Sequence, residues 1–393
     1  MIDTVFIGMS GLSSYSKGLK AISNNVTNLN TPGFKTSQLQ FTDLFYQGSQ
    51  NGTGAGRFGN GVGTNGTNLN FMAGDFRSTG NELDVAVNGQ GFFVLRDEQS
   101  NLRYTKAGQF EFNGNGVLVN RNGSEKVMAY DAGNLREITL QGMQSNPPKA
   151  TSEIVLKGNL SPEGTQHSIN NVAVFDSAGK QHNLTVAFTD KKLDATTGEV
   201  SWTVTVKENA TTLTTGDYKF KNSLAVGGSD ALSFSFNPAG AAASTVTMKL
   251  GPNVQAFNLG TTSSLEVDSK DGYGVGTLAK QAFDDEGHLV LNYSNGQSDK
   301  RYQLAMARFS NLDSLEQMGS NQFQAKDANA VSYTVASKGQ DAIRSRAVEI
   351  SNVDLSQEFS DLILNQRGYQ ASSQIVSTAN EMIQELFEMK GRR

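Results

Sequence analysis

The side chains best suited to metal binding or proton transfer near neutral pH are the histidines at 167, 182 and 288. They stand far apart in the chain, and none is followed by a second ligand at i+3 or i+4, so no metal site is expected. Asp284-Asp285-Glu286 places carboxylates in a row. An EF-hand, however, alternates its ligands and closes on a Glu at the twelfth position, which this run does not do. It reads instead as a hairpin turn, with Tyr293-Ser294-Asn295-Gly296-Gln297 as the next corner. The stretch from Gln47 to Asn70 is rich in Gly and Asn but has no Gly-Lys-Ser/Thr and no strand-to-helix setting. That favours a hinge or extended contact arm over a phosphate loop. With no cysteine in the chain, thiolate catalysis, thiolate metal ligation and disulfides are excluded. No Gly-x-Ser-x-Gly elbow occurs either. Paired carboxylates of the glycosidase type meet only in space, so a hydrolase stays open on sequence alone. No catalytic residue, cofactor or metal ligand is assigned.

If chemistry is not the theme, the elements that would have positioned it become the subject. At 393 residues and ~150 per domain, two or three domains are expected. Hydrophobic residues form 37% and charged residues 18% of the chain, both low for a globular protein, and Asn, Ser, Thr and Gln fill the difference. A net charge of −5 argues against nucleic acid and anionic membrane, each of which calls for a basic face. No window approaches ~18 uninterrupted apolar residues, so no membrane insertion is expected. The start, MIDTVFIGMSGLSSYSKGLKAI, lacks the basic then apolar layout of a cleaved signal.

Both ends carry heptad patterning. Leu355, Leu362, Tyr369, Val376 and Ile383 recur every seventh residue, with Phe359 and Phe387 at alternate 3/4 positions. At ~1.5 Å per residue, the last forty residues make a helix on the order of 55 Å long. Gln366, Ser373 and Asn380 interrupt the seam with polar groups that pin register. Asn352 or Asp354 is placed to cap its start. Near the N-terminus, Leu12, Tyr15, Leu19, Ile22, Val26 and Leu29 follow 3-4-3-4-3 spacing over residues 5–29, and Pro32-Gly33 ends the helix. Seams at opposite termini predict that the ends pair and that the rest of the chain is an insertion between them.

That remainder reads as strands and turns. Leu83–Val87, an Asn88-Gly89 turn, Gly91–Leu95, Arg103–Phe110 and Gly116–Val119 form a first β segment. Beyond Pro147-Pro148, a second runs through Ala173–Phe175, Asn183–Phe188, Ser201–Val206, Ser233–Phe236 and Val246–Leu250, patterned as an antiparallel sandwich or barrel with Trp202 as core filler. The fold class is therefore nested α+β: paired long terminal helices as a coiled coil, with two mainly antiparallel β domains inserted between them.

Several of these runs carry a resemblance. Ile22-Ser23-Asn24-Asn25-Val26-Thr27-Asn28-Leu29-Asn30-Thr31-Pro32-Gly33-Phe34-Lys35 is similar to the N-terminal signature of the bacterial flagellar rod and hook axial proteins. Gln366-Arg367-Gly368-Tyr369-Gln370-Ala371-Ser372-Ser373 and Thr378-Ala379-Asn380-Glu381-Met382 resemble its C-terminal signature, with Gly368 in place of a frequent alanine. Relative to Ala, that glycine costs about 0.5 to 1 kcal/mol of helix stability and would allow a bend. Asp271–Gly296, Phe309–Leu312 and Gly319–Phe323 resemble the hook branch where the chain re-enters its first β domain.

The resemblance implies a homopolymer that forms the flagellar hook, a curved flexible tube joining the basal-body rod to the filament. Inner-tube helix packing is then expected from Leu12, Leu19, Ile22, Val26, Leu29, Leu355, Phe359, Leu362, Tyr369, Val376 and Ile383. It also implies export, unfolded and without a cleaved signal, through the flagellar type III apparatus, with Phe41 and Phe45 as a candidate export-gate motif. Distal rod, hook cap and hook-filament junction proteins are the implied partners. The expected layout is helical at 1–30 and 352–393, connecting at 31–70 and 335–351, a first β domain at 71–146 and 271–334, and an inserted outer β domain at 147–270. Two rivals stay open: a distal rod subunit, which lacks so large an insertion, and a secreted β-sandwich binding module or hydrolase.

Overall fold

Among the described residues two helices bracket the chain, α1 (Ile2–Thr27) and α2 (Leu355–Gly391), and the other regular elements are strands or short 3-10 turns. The computed structural model describes residues 2–44, 46–47, 58–337, 339 and 341–391. Its residues divide into two compact units. The first holds Met1–Gln141, Gln281–Val290 and Lys300–Arg393; the second holds Gly142–Lys280 and Leu291–Asp299.

In the first unit α1 and α2 pack on each other, as the heptads require. Helix α1 stops at Thr27 because the chain must turn before Pro32; Gly33 sits at φ +72, a conformation that costs glycine nothing. Asp354 caps α2, its Oδ1 accepting from the backbone N–H of Ser356 at 2.8 Å and of Gln357 at 3.3 Å. Asn352 has a different task, described below.

A β sheet forms the unit's core, with strands in the spatial order Leu315–Gly319, Gln322–Ala325, Leu102–Thr105, Phe92–Arg96, Lys126–Asp131, Leu118–Asn120 and Phe110–Phe112. Phe92, Tyr104, Met128, Ala307 and Phe323 are buried against one another. The rings of Phe92 and Phe309 meet edge to face at 5.3 Å. The Asn88-Gly89 turn does not close a hairpin. Val85–Asn88 pairs instead with Ala342–Ser345, and Phe76–Ser78 with Ala347–Glu349, so segments from both ends of the sequence are knitted by antiparallel ladders.

The Gly- and Asn-rich stretch also departs from expectation where it is described. Val62–Leu69 is a strand, antiparallel to Ser37–Asp43, and the ribbon lies against α1. Backbone hydrogen bonds form the two-stranded ladder, which is marginal by itself, and α1 adds polar anchors. Lys17 Nζ donates to Thr64 Oγ1 at 3.1 Å and Ser10 Oγ accepts from Val62 N at 3.2 Å. Residues 48–57 of that stretch lie outside the described residues.

The second unit is built on a nine-stranded sheet. The strands read from sequence lie within His167–Phe175, Gln181–Leu193, Val200–Glu208, Ala231–Phe236 and Ser244–Gln255. One pairing is parallel: Glu153–Asn159 runs alongside Ser244–Gln255, so the sheet is not purely antiparallel. Trp202 is fully buried in its core with Phe188, Tyr218, Phe220 and Phe236.

Candidate assembly interface

The α1–α2 contact is made by small residues. Gly8, Gly11 and Gly18 are buried on α1, and Ser372 and Ala379 on α2. A Cβ built on Gly8 would stand 2.6 Å from Val376 Cγ2, and one on Gly11 2.6 Å from Ser372 Oγ, so the helices approach along a groove that larger side chains would close. Gly368 belongs to this contact too. It introduces no break in α2 but receives the ring of Tyr15, which an alanine methyl would strike.

The predicted seam is therefore split. Ile22 is buried, and Leu12, Leu19, Val26, Leu29, Leu362, Val376 and Ile383 are half-buried beside the small-residue contact. Leu355, Phe359 and Tyr369 are exposed in the single chain. Further apolar side chains stand beside them on α2, with Leu364 67% and Phe387 71% exposed, and Phe6 and Met9 are exposed on α1. Apolar bulk thus sits at the margins and outer faces of the helix pair.

Below the pair, buried polar groups tie the two ends of the sequence together. Asn25, 1% exposed, donates from Nδ2 to Glu358 Oε1 and to Ser37 O, each at 2.9 Å, and its Oδ1 accepts from Ser37 N at 3.0 Å. Burial, with Asp361 and Asp354 nearby, raises the Glu358 carboxyl above its ordinary value, against the lowering effect of the Asn25 hydrogen bond. Lys35 and Glu349 form a fully buried ion pair at 2.5 Å. Lys35 also donates to Met72 O at 2.7 Å, and the same Glu349 oxygen accepts from Gly74 N at 2.9 Å. Asn352 completes the clasp, accepting from Thr36 N at 2.9 Å and donating to Asn70 O at 2.8 Å. Nearby, Lys106 is buried and donates to Gly89 O at 2.8 Å; burial, then repulsion from Lys35, pushes its ammonium down to about 8, with Glu349 and Asp341 opposing. Asp341 accepts from Gly91 N at 2.7 Å and from Arg308 Nε at 2.5 Å. The geometry ties the two ends of one chain together.

Four family profiles match successive parts of the sequence: flagella basal body rod protein at residues 7–35, flagellar hook protein FlgE/F/G D1 domain at 86–155, flagellar basal body protein FlaE D2 domain at 159–341, and flagellar basal body rod FlgEFG protein C-terminal at 344–389. The clasp residues Asn25 and Lys35 fall in the first and Glu358 in the last. Flagellar hook protein FlgE of Escherichia coli strain K12 is 29% identical over 97% of this chain and 98% of its own length. The chain belongs to the flagellar rod and hook protein family. Flagellar hook protein FlgE of Borreliella burgdorferi is 27% identical over 99% of this chain and all of its own. The crystal structure of Helicobacter pylori flagellar hook protein FlgE2 shares the fold, with a TM-score of 0.52 at 12% identity over 70% of this chain and all of that one.

In this flagellar hook-family chain, Phe41 stacks on Tyr15 of α1 with ring centroids 5.7 Å apart and is half-exposed; Phe45 lies outside the described residues. Asp284, Glu286 and His288 do approach one another to within 4.8 Å, a grouping missed when only positions after each histidine were considered, since Asp284 precedes His288 by four. Asp284 is already engaged, accepting from the backbone of Glu286 and His288 and from Lys300 Nζ at 2.7 Å, which makes the group a turn in which Lys300 offsets the Asp284 charge. His182 lies between Glu208 at 2.7 Å and Asp176 at 3.1 Å, and His167 meets Leu265 O at 2.7 Å.

The clasp residues Asn25, Lys35, Glu349, Asn352 and Glu358 carry no signal of their cross-terminal partners in the sequence, because those partners lie 275 to 333 positions away along the chain. An Asn between Ile22 and Val26 in an apolar stripe is the one local hint.

Proposed function

We propose that this chain is a structural subunit of the flagellar hook, polymerising with its own copies into a curved, flexible tube that carries torque from the basal-body rod to the filament. The observation that carries this reading is the inversion at the helix pair. Small residues fill the contact within one chain, and large apolar residues, Phe359, Leu364 and Phe387 among them, face outward. Apolar surface on a long helix is stabilised by burial at about 25 cal/mol per Å², and further copies of the same pair supply that burial. Ile22, Leu12, Leu19, Val26, Leu29, Leu362, Val376 and Ile383 brace each pair from within, while Leu355, Phe359 and Tyr369 reach neighbouring copies in the tube wall. The role is mechanical, without catalysis.

In keeping with the family, delivery through the flagellar type III apparatus precedes folding, with Phe41 read in the extended chain before it docks on Tyr15. Distal rod, hook cap and hook-filament junction proteins are the neighbours at the ends of the tube. The test is a chain carrying Phe359→Asp and Leu364→Asp. These positions are exposed, so the monomer should melt as before yet fail to form tubes by electron microscopy. Tubes of normal yield and length would refute the reading.

A further inference from the structure

The dipeptide Asn-Gly recurs along the chain, at 51, 60, 65, 88, 113, 115, 122 and 295. It carries a chemistry of its own besides its turn geometry. Glycine has no Cβ, so its backbone nitrogen can approach the side-chain carbon of the preceding asparagine and displace the amide. Whether it does so in the folded chain depends on what holds each pair, and these pairs are not held alike. The pair at 51 lies outside the described residues.

Six of the others are restrained. Gly116, Gly123 and Gly296 donate the backbone N–H to Asn113 O at 2.9 Å, Asn120 O at 3.1 Å and Tyr293 O at 3.0 Å, a hydrogen bond that attack by the nitrogen must first give up. Asn113, before Gly114, is locked by its Oδ1, which accepts from Asn115 N and Val117 N, each at 3.0 Å. Gly89 is wedged against Asp341, and its carbonyl accepts from Lys106 Nζ at 2.8 Å. Gly61 packs on Ser10 of α1, and its carbonyl accepts from Leu44 N at 3.1 Å.

Asn65-Gly66 has none of these restraints. In the strand Val62–Leu69, Thr67 faces Leu39 and Thr64 faces Phe41, so Gln40 alone stands opposite both residues, in a β-bulge that interrupts the ladder. Both residues are exposed, and the Asn65 side chain meets no hydrogen-bond partner among the described residues. Gly66 sits at φ +81 with open space where a Cβ would stand. We propose that Asn65 is a site of self-modification, at which water exchanges the side-chain amide for a carboxylate. The Gly66 nitrogen gives up its proton and bonds to Asn65 Cγ; the Cγ–Nδ2 bond breaks, and ammonia leaves with that proton, closing a succinimide ring. Water then opens the ring at one of its two carbonyls. Opening at Cγ gives aspartate, and opening at the backbone carbon gives isoaspartate, in which the main chain runs through Cβ and Cγ. No oxidant and no enzyme takes part. The isoaspartate form lengthens the main chain between Thr64 and Thr67, the residues that set the register on either side of the bulge. Val62 and Thr64, through which Ser10 and Lys17 of α1 hold the ribbon, lie on one side of that added link, so the hold changes with the age of the molecule. The inference does not depend on the polymer reading.

The test incubates the dispersed full chain at neutral and at mildly alkaline pH and follows it by peptide mapping in a mass spectrometer. Trypsin, cutting after Arg57, separates residue 51 from residues 60 and 65, and fragmentation resolves the last two. In the folded chain residue 65 should gain a carboxyl ahead of residues 60, 88, 113, 115, 122 and 295, as two chromatographic forms, with heavy-oxygen water labelling the new group. In denaturant that ranking should disappear. Gly66→Ala, whose methyl crowds the nitrogen, should slow the conversion by an order of magnitude and leave the other pairs as they were. A folded chain in which residue 65 converts no faster than the six restrained pairs overturns the inference, as does an unchanged rate at residue 65 in the Gly66→Ala chain.

Discussion

Glu358 and Lys106 bury ionisable groups in the same unit, and they pull its stability in opposite directions with pH. Burial raises the Glu358 carboxyl above its ordinary value of 4.5, so the folded chain holds that proton where the unfolded chain has lost it. Stability from this group is fullest below 4.5 and declines as pH rises through the folded value. Lys106 behaves in reverse. Lowered from 10.5 to about 8, it gives up its proton first in the folded state, so stability rises with pH between about 8 and 10.5. Glu358→Gln keeps an acceptor for Asn25 and should flatten the acidic side of the profile without touching the alkaline side, as read by denaturant unfolding across pH. The Lys35–Glu349 pair is simpler. Lys35→Met strands a buried carboxylate and should cost about 3–5 kcal/mol in the first unit, measured in the same way.

The two helices announce themselves in sequence because an apolar residue recurs every three or four positions, and their mutual packing follows from the lack of other helical neighbours. Which face they share was not legible. A hydrophobic pattern weighs Leu, Phe and Tyr, whereas the contact is built from Gly8, Gly11, Gly18, Gly368 and Ser372, which that pattern ignores. The strand Val62–Leu69 was hidden for a related reason: its two Gly and two Asn residues are depleted in strands and mask the two threonines, and its ladder depends on backbone groups and on the side chains of α1. In the second unit, alternating apolar residues around Trp202 made strands readable, but their neighbours in the sheet, including the parallel pair, were not, since pairing is decided between distant segments. The glycine at 368 gives an element-scale prediction. Gly368→Ala gains about 1 kcal/mol of helix propensity, yet overpacking against Tyr15 costs about 1–3 kcal/mol, so helical melting should fall. In a Tyr15→Ala background the same Gly368→Ala step should instead raise helical melting.

For the whole molecule, two compact units with separate cores imply separable unfolding. The sole tryptophan, Trp202, is buried in the second unit and reports on it alone. Its fluorescence transition should hold its midpoint in the Lys35→Met chain while far-ultraviolet helicity is lost earlier; a shared shift of both signals would show that the units melt as one. The clasp has a temporal meaning as well. Asn25 and Lys35 wait for Glu349 and Glu358, which are among the last forty-five residues of 393. Any machine that delivers the chain N-terminus first, a ribosome included, therefore releases its leading helix with only the 37–69 ribbon to pack on, long before its partner helix emerges. Arrival of that late segment is itself the signal that closes the clasp, and a copy interrupted before it stays open.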